Sequence, residues 1–268
     1  MESPSHTGFV TLGNETRHST KPCITNHSPA EHDACPDIQS SGSLGGPIAA
    51  PQFPCWKRIL DITCILITLP VSLIMMAGVA LWIMFVSPGP LFYNQERVGY
   101  RAKRFVILKF RSMRVNAETK THEGYLARLI HNDCPMTKLD ARGDARLIPG
   151  GRILRALGLD ELPQIFNILR GDMSLVGPRP CTPYEYHCYN SLARRRVQVP
   201  PGLTGLWQVS GKNKTTFDEM IRLDLEYSSR MSISLDLIIL LKTLPAIATQ
   251  VLESRFKLSS AQRIGRQI

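Results

Sequence analysis

The sequence predicts a mainly helical α+β protein held at a membrane, and three observations carry that reading. Residues Ile62–Val86 run for 25 residues without a charge, long enough to span a bilayer. Leu91–Gln95 and Phe105–Phe110 are aromatic and aliphatic runs flanking a Gly-containing basic turn, the pattern of a small β-hairpin. Leu162, Ile165, Phe166 and Leu169 recur at helical spacing, and Ser234–Leu252 forms a second apolar stretch.

The chain divides accordingly. Residues 1–54 are rich in Ser, Thr, Pro, Gly and His with no helical or strand period, so a disordered polar tail is expected. No basic patch and apolar run follow Met1, so no secretory signal is expected either. A membrane helix over 55–88, a catalytic domain over 89–255 and a C-terminal tail over 256–268 complete the division.

Pro70 removes a backbone donor inside the apolar run and predicts a kink. Basic residues flank both ends, Lys57 and Arg58 before the run and Arg97, Arg101, Lys103 and Arg104 after it. Both flanks satisfy the positive-inside rule only if the segment enters and returns. The arms on either side of Pro70 measure about 16 Å and about 24 Å at about 1.5 Å per residue, enough to dip into a bilayer without crossing. A kinked spanning helix is the other reading. Asp236, Lys242 and Pro245 interrupt the second stretch, which reads as a core or interfacial helix.

Arg17 and Lys21 oppose Glu2, Glu15, Glu31, Asp33 and Asp37 in the tail, so the chain's net +10 becomes about +13 over 55–268. Nucleic acid, acidic headgroups and phosphorylated substrates all suit that charge. No helix-turn-helix, zinc finger or aromatic RNA motif is present, so no nucleic-acid partner is expected. The seven cysteines are scattered and never spaced C-x-x-C, which reads as reduced thiols rather than a disulfide framework or zinc site.

Chemistry gathers after the membrane run. Lys109, Arg111 and Arg114 cluster within six residues as phosphate donors or as a solvated basic face. In GRILRALGLDELPQIFNILRGD, Pro163 suits the first turn of a helix and puts Asp160 and Glu161 at its entrance. There the two acids either cap the helix, or supply a magnesium ligand and an oxygen nucleophile with Arg155 upstream to hold phosphate. Arg179 stands between Pro178 and Pro180, which fixes its backbone, and Trp207, Gln208, Lys212 and Lys214 sit on a Gly-rich segment.

K-R-x-x-D at Lys57–Asp61, the proline-broken run, KFRSM, LDELPQIFNILRGDMSLVGPRP and PGLTGLWQVSGKN together resemble the bacterial sugar transferases. These are monotopic polyprenyl-phosphate phosphoglycosyl transferases, also described as undecaprenyl-phosphate sugar phosphotransferases. The resemblance covers Phe53–Leu252, about three-quarters of the chain. It implies a re-entrant helix broken at Pro70, interfacial amphipathic helices, and a catalytic pair Asp160 and Glu161 working with Mg2+, Asp160 also serving as metal ligand. It places phosphate binding on Arg155, Lys109, Arg111 and Lys212, and nucleotide binding on Pro178, Arg179 and Pro180. The implied reaction passes a sugar-1-phosphate from a UDP-sugar to polyprenyl phosphate through an aspartyl phosphosugar, with release of UMP. The implied setting is the bacterial inner membrane, catalytic domain in the cytoplasm, among inner-membrane lipids and with room for a homo-oligomer.

Three positions depart from the family pattern: Leu69 and Gly158 stand where a hydroxyl residue is usual, and Lys212 where arginine is usual. Thr68 or Ser72 can supply the hydroxyl missing beside Pro70. A membrane-tethered sensor of nucleotide sugars, without turnover, is the rival reading, and the intact Asp160 and Glu161 speak against it.

Overall fold

The computed structural model describes residues 53–114, 146–211 and 215–264, with side chains in the last helix described as far as Leu252. Lys212, the Gly-rich segment's Lys214 and residues 1–52 of the expected N-terminal tail lie outside the described residues.

The first helix, α1 (Cys55–Val86), carries Pro70 inside it and remains helical through that position. The expected kink is therefore no gap in the helix. Thr68 Oγ1 donates to the Cys64 carbonyl at 2.9 Å and Ser72 Oγ to the Thr68 carbonyl at 2.9 Å. Both hydroxyls flank the proline as the sequence suggested, and such back-bonding bends helices.

The hairpin follows as β1 (Phe92–Val98) and β2 (Arg104–Phe110), antiparallel with Phe92 opposite Phe110 and Val98 opposite Arg104. β1 extends three residues past the predicted Gln95, because Val98 also bridges to Cys181 and continues the pairing. The turn holds Arg101 and Ala102 at φ of 54° and 58°, a left-handed geometry that costs L-residues on the order of 1–2 kcal/mol each.

Two short helices come next, α2 (Gly151–Leu157) and α3 (Gln164–Arg170), separated by a 3-10 turn over Leu159–Glu161. Gly158 at φ 70° ends α2 and admits that turn. Pro163 is the N-cap of α3 rather than part of its first turn, so the acids lie one step before the helix proper. β3 (Ser174–Val176) then pairs in parallel with β4 (Gly202–Thr204). Between them lie α4 (Pro183–Cys188) and α5 (Ser191–Arg194). Thr182 and Glu185 close a capping box at the start of α4, Glu185 N–H to Thr182 Oγ1 at 3.1 Å and Thr182 N–H to Glu185 Oε2 at 2.7 Å.

The chain ends in α6 (Leu206–Val209), α7 (Phe217–Arg230) and α8 (Ile233–Ile264). Both α1 and Ile233–Leu252 of α8 are long and apolar enough to cross a membrane, by length and composition. α8 buries Asp236 and Ile239 while Ile233, Leu237, Ile238, Leu241 and Leu244 are exposed, an apolar face turned outward.

Both arms of α1 dock on the same fold. Ile65 joins Phe105, Ile107, Ile165 and Ile168 in one core cluster, and Val79 and Ile83 join Phe110, Ile148 and Leu154 in another. The middle of the helix, from Leu66 to Met75, is largely exposed and apolar. Its N-terminal turn is polar and buried: Lys57 meets Asp236 and Tyr227, and Asp61 Oδ1 accepts from Ser174 Oγ and Leu175 N–H at 3.0 Å each. Among the described residues Cys55, Cys64 and Cys181 are free thiols.

Candidate functional site

Asp160 and Glu161 share the 3-10 turn between α2 and α3, Asp160 buried and Glu161 half-buried. Lys109 Nζ, near the end of β2, is 2.8 Å from Glu161 Oε1. The fold holds that strand beside the turn through Asn167 of α3. Its Nδ2 donates to the Val106 carbonyl at 2.7 Å, and its Oδ1 accepts from Leu108 N–H at 3.0 Å. Asn167 is fully buried, and both ends of its amide are used, which removes the cost of burying them.

Arg155 lies on α2, three residues before Gly158. Gln250 of α8 reaches across to this helix end, its Nε2 donating to the Arg155 and Ala156 carbonyls at 3.2 and 3.1 Å. These carbonyls lie in the last turn of α2 and lack helical partners. Arg111 sits just past β2, buried, and donates to the Ser87 and Pro88 carbonyls, the latter at 3.0 Å. In this structure it ties the end of α1 to the hairpin.

The Pro-Arg-Pro segment forms a second group. Three successive carbonyls are each held: Pro178 by Gly202 N–H at 2.8 Å, Arg179 by Arg196 at 2.9 Å, and Pro180 by Arg97 at 3.1 Å. With the backbone fixed at three points, presenting the half-buried Arg179 guanidinium costs little entropy. Arg196 is itself buried, bonded to Asp224 and to Tyr189 OH, the latter at 2.8 Å. Burial pushes the Asp224 carboxyl up to about 6 against the opposing pull of Arg196. Gly99, Arg179, Pro180, Arg196 and Pro201 are among the residues around a small cleft here, and Asp160, Glu161 and Lys109 do not line it.

The sequence profile of the bacterial sugar transferases matches residues 53–250, which include the docked helix, the acid turn and the clamped Pro-Arg-Pro. The chain belongs to the bacterial sugar transferase family. Among similar members is "Galactosyl transferase CpsE" of Streptococcus agalactiae, 41% identical over 71% of this chain and 42% of its own length. "Exopolysaccharide production protein ExoY" of Sinorhizobium fredii is 36% identical over 71% of this chain and 84% of its own. "UDP-glucose:undecaprenyl-phosphate glucose-1-phosphate transferase" of Caulobacter vibrioides is 38% identical over 76% and 74%. The chain thus spans under half the length of the first of these relatives and most of the other two.

Within this sugar transferase the structure brings together Lys109 and Glu161, and it sets Arg155 one short loop before Asp160. Asn167, Arg97, Arg196 and Gln250 escaped the sequence reading. Asn167 lies off the Leu162, Ile165, Phe166 and Leu169 stripe, between Phe166 and Ile168, and nothing local marks it as buried.

Proposed function

We propose that the chain transfers a sugar-1-phosphate from a UDP-sugar to undecaprenyl or another polyprenyl phosphate, releasing UMP, as the first step in building an exopolysaccharide or other surface glycan. The observation that carries this reading is Asp160 in a buried turn beside Glu161, itself paired with Lys109. In the first half-reaction an Asp160 carboxylate oxygen attacks the phosphorus bearing the sugar. The bond from that phosphorus to the UMP oxygen breaks, and UMP leaves with the electron pair. In the second, an oxygen of the lipid phosphate attacks the same phosphorus, the aspartyl bond breaks, and the Asp160 carboxylate is restored.

Lys109 and Arg155 supply positive charge near the phosphates, and Arg179 meets the nucleotide from its clamped segment. Glu161 orients Lys109 and can take or return a proton. Mg2+ fits this donor set: Asp160 and Glu161 are adjacent carboxylates on one turn, and magnesium prefers one or two carboxylates with substrate oxygens to a closed cage. Asp160 and Glu161 would hold it, and when bound it neutralises the diphosphate and its leaving group.

The setting is the inner membrane, with α1 entering and returning and the catalytic domain in the cytoplasm. Support comes from α1's two arms, both docked on one folded domain with an exposed apolar middle, and from the outward apolar face of α8. A helix that crossed the bilayer would carry one of those arms to the other side. The test is UMP release by purified protein with magnesium and undecaprenyl phosphate across a panel of UDP-sugars; release from none, against an active relative run alongside, overturns the reading.

A further inference from the structure

Asp160 and Glu161 lie between two short helices, and the outer ends of both helices are held by one element. At the end of α3, both terminal nitrogens of the Arg58 guanidinium donate to the carbonyls of Ile168 and Leu169. At the start of α2, the Trp82 indole N–H donates to the Pro149 carbonyl at 3.4 Å. The Trp82 ring lies so close to Gly150 that a Cβ there would come within 2.9 Å of the indole nitrogen. Arg58 and Trp82 sit on opposite sides of Pro70 in α1. Apolar contacts repeat the division: Ile65 clusters with Ile165 and Ile168 of α3, while Val79 and Ile83 cluster with Leu154 of α2 and have Leu159 and Leu162 packed against them.

We infer that Arg58 is a positioning residue for the Asp160–Glu161 turn, with Trp82 as its counterpart on the other arm, so that α1 is part of the active-site frame as well as an anchor. Each flanking helix has seven residues, too short to be stable alone, so its placement is set by what grips its ends. Carbonyls in the last turn of α3 are short of i+4 partners, the capping Gly171 N–H reaching that of Ile168 at 2.9 Å, and a cation is favoured beside them. A guanidinium fork holds two of them in one geometry, whereas a lysine presents a single point of charge. The inference rests on the proposed activity only in its kinetic arm.

The test uses the full chain in lipid nanodiscs with Arg58→Lys and Trp82→Phe made separately. Amide hydrogen exchange is read first. Arg58→Lys is expected to exchange several-fold faster over residues 158–170, and Trp82→Phe over 149–161, with α7 unchanged in both. Unchanged exchange in those segments, or an equal rise in α7, overturns the inference. Kinetics come second: kcat for UMP release should fall about tenfold or more with KM for the UDP-sugar within twofold. A kcat within twofold of wild type, or a raised KM with kcat intact, also overturns it. If Arg58→Lys fails to fold, Trp82→Phe is judged by the same criteria. A wild-type chain that releases no UMP removes the proposed activity and leaves the exchange measurement to decide the positioning role.

Discussion

Lys57 Nζ lies 2.6 Å from Asp236 Oδ2, although 179 residues separate them. Tyr227 OH closes the group, accepting from Lys57 at 2.8 Å and donating to Asp236 Oδ1 at 2.7 Å. All three residues are buried. The acid that interrupts the second apolar stretch is thus the partner of the base that precedes the first.

Removing one charge from this group strands the other in the interior. Asp236→Asn should destabilise the protein by about 3–5 kcal/mol, while the double change Lys57→Met with Asp236→Leu should recover much of that loss. Thermal unfolding in one detergent compares them. Equal stability of wild type and Asp236→Asn would show that the pair does not hold α1.

Asp160→Asn should abolish UMP release and leave folding and membrane binding intact, since it removes the nucleophilic charge at nearly constant size. Glu161→Gln should lose about a hundredfold or more as the partner of Lys109. Wild-type turnover by Asp160→Asn would sink the aspartyl intermediate.

Excess EDTA should stop the reaction, and added magnesium should restore it, because two carboxylates and a diphosphate are all anionic and repel one another without a cation between them. Full activity in EDTA would take the metal out of the scheme.

Topology can be read by labelling. With the native cysteines replaced, a cysteine at Ser43 and another at Lys103 should both react only after the inner membrane is opened. Lys103 is exposed. Pro70→Ala should move part of the population to a form with the Ser43 site outside, because alanine restores the missing backbone donor and removes the cause of bending in a run long enough to cross. A wholly internal tail in that variant would assign the hairpin to the docked arms instead of the proline.

Burial pushes the Cys181 thiol up to about 11, so it stays neutral below that pH and forms thiolate only as pH rises toward it. Iodoacetamide at pH 8 should therefore modify the exposed Cys55 well before Cys181 in the folded protein. Equal rates, by peptide mass mapping, would contradict the packing around the clamped segment.

Local pattern was enough to read the hairpin and the helix α3, because alternation and helical period depend on near neighbours. Of the four stripe positions, however, only Ile165 is buried and Phe166 is exposed; the face that packs inward carries Gln164, Asn167 and Ile168 as well. Asp160 and Glu161 were located within one turn of their place; the displacement arises at Gly158, whose left-handed φ inserts a 3-10 turn between two helices. Lys57 and Asp236 looked like a basic flank and a flaw in an apolar stretch, since nothing local to either names a partner so far along the chain. Arg97 reads in the sequence only as part of a basic flank and Arg196 carries no local signal, yet both are buried donors to the Pro-Arg-Pro carbonyls. Long-range pairing is where single-sequence reasoning stopped, and most of the frame around the site is of that kind.

Asn167 has one more effect on the molecule. A two-stranded ribbon normally leaves an open row of donors and acceptors on each side, a template on which stray chains can add. By occupying Val106 O and Leu108 N–H with a side chain fixed in α3, the protein blocks one of those rows without spending a third strand on it. Asn167→Leu would leave both groups unmatched, and self-association through that margin, read by light scattering, is the behaviour the native amide guards against.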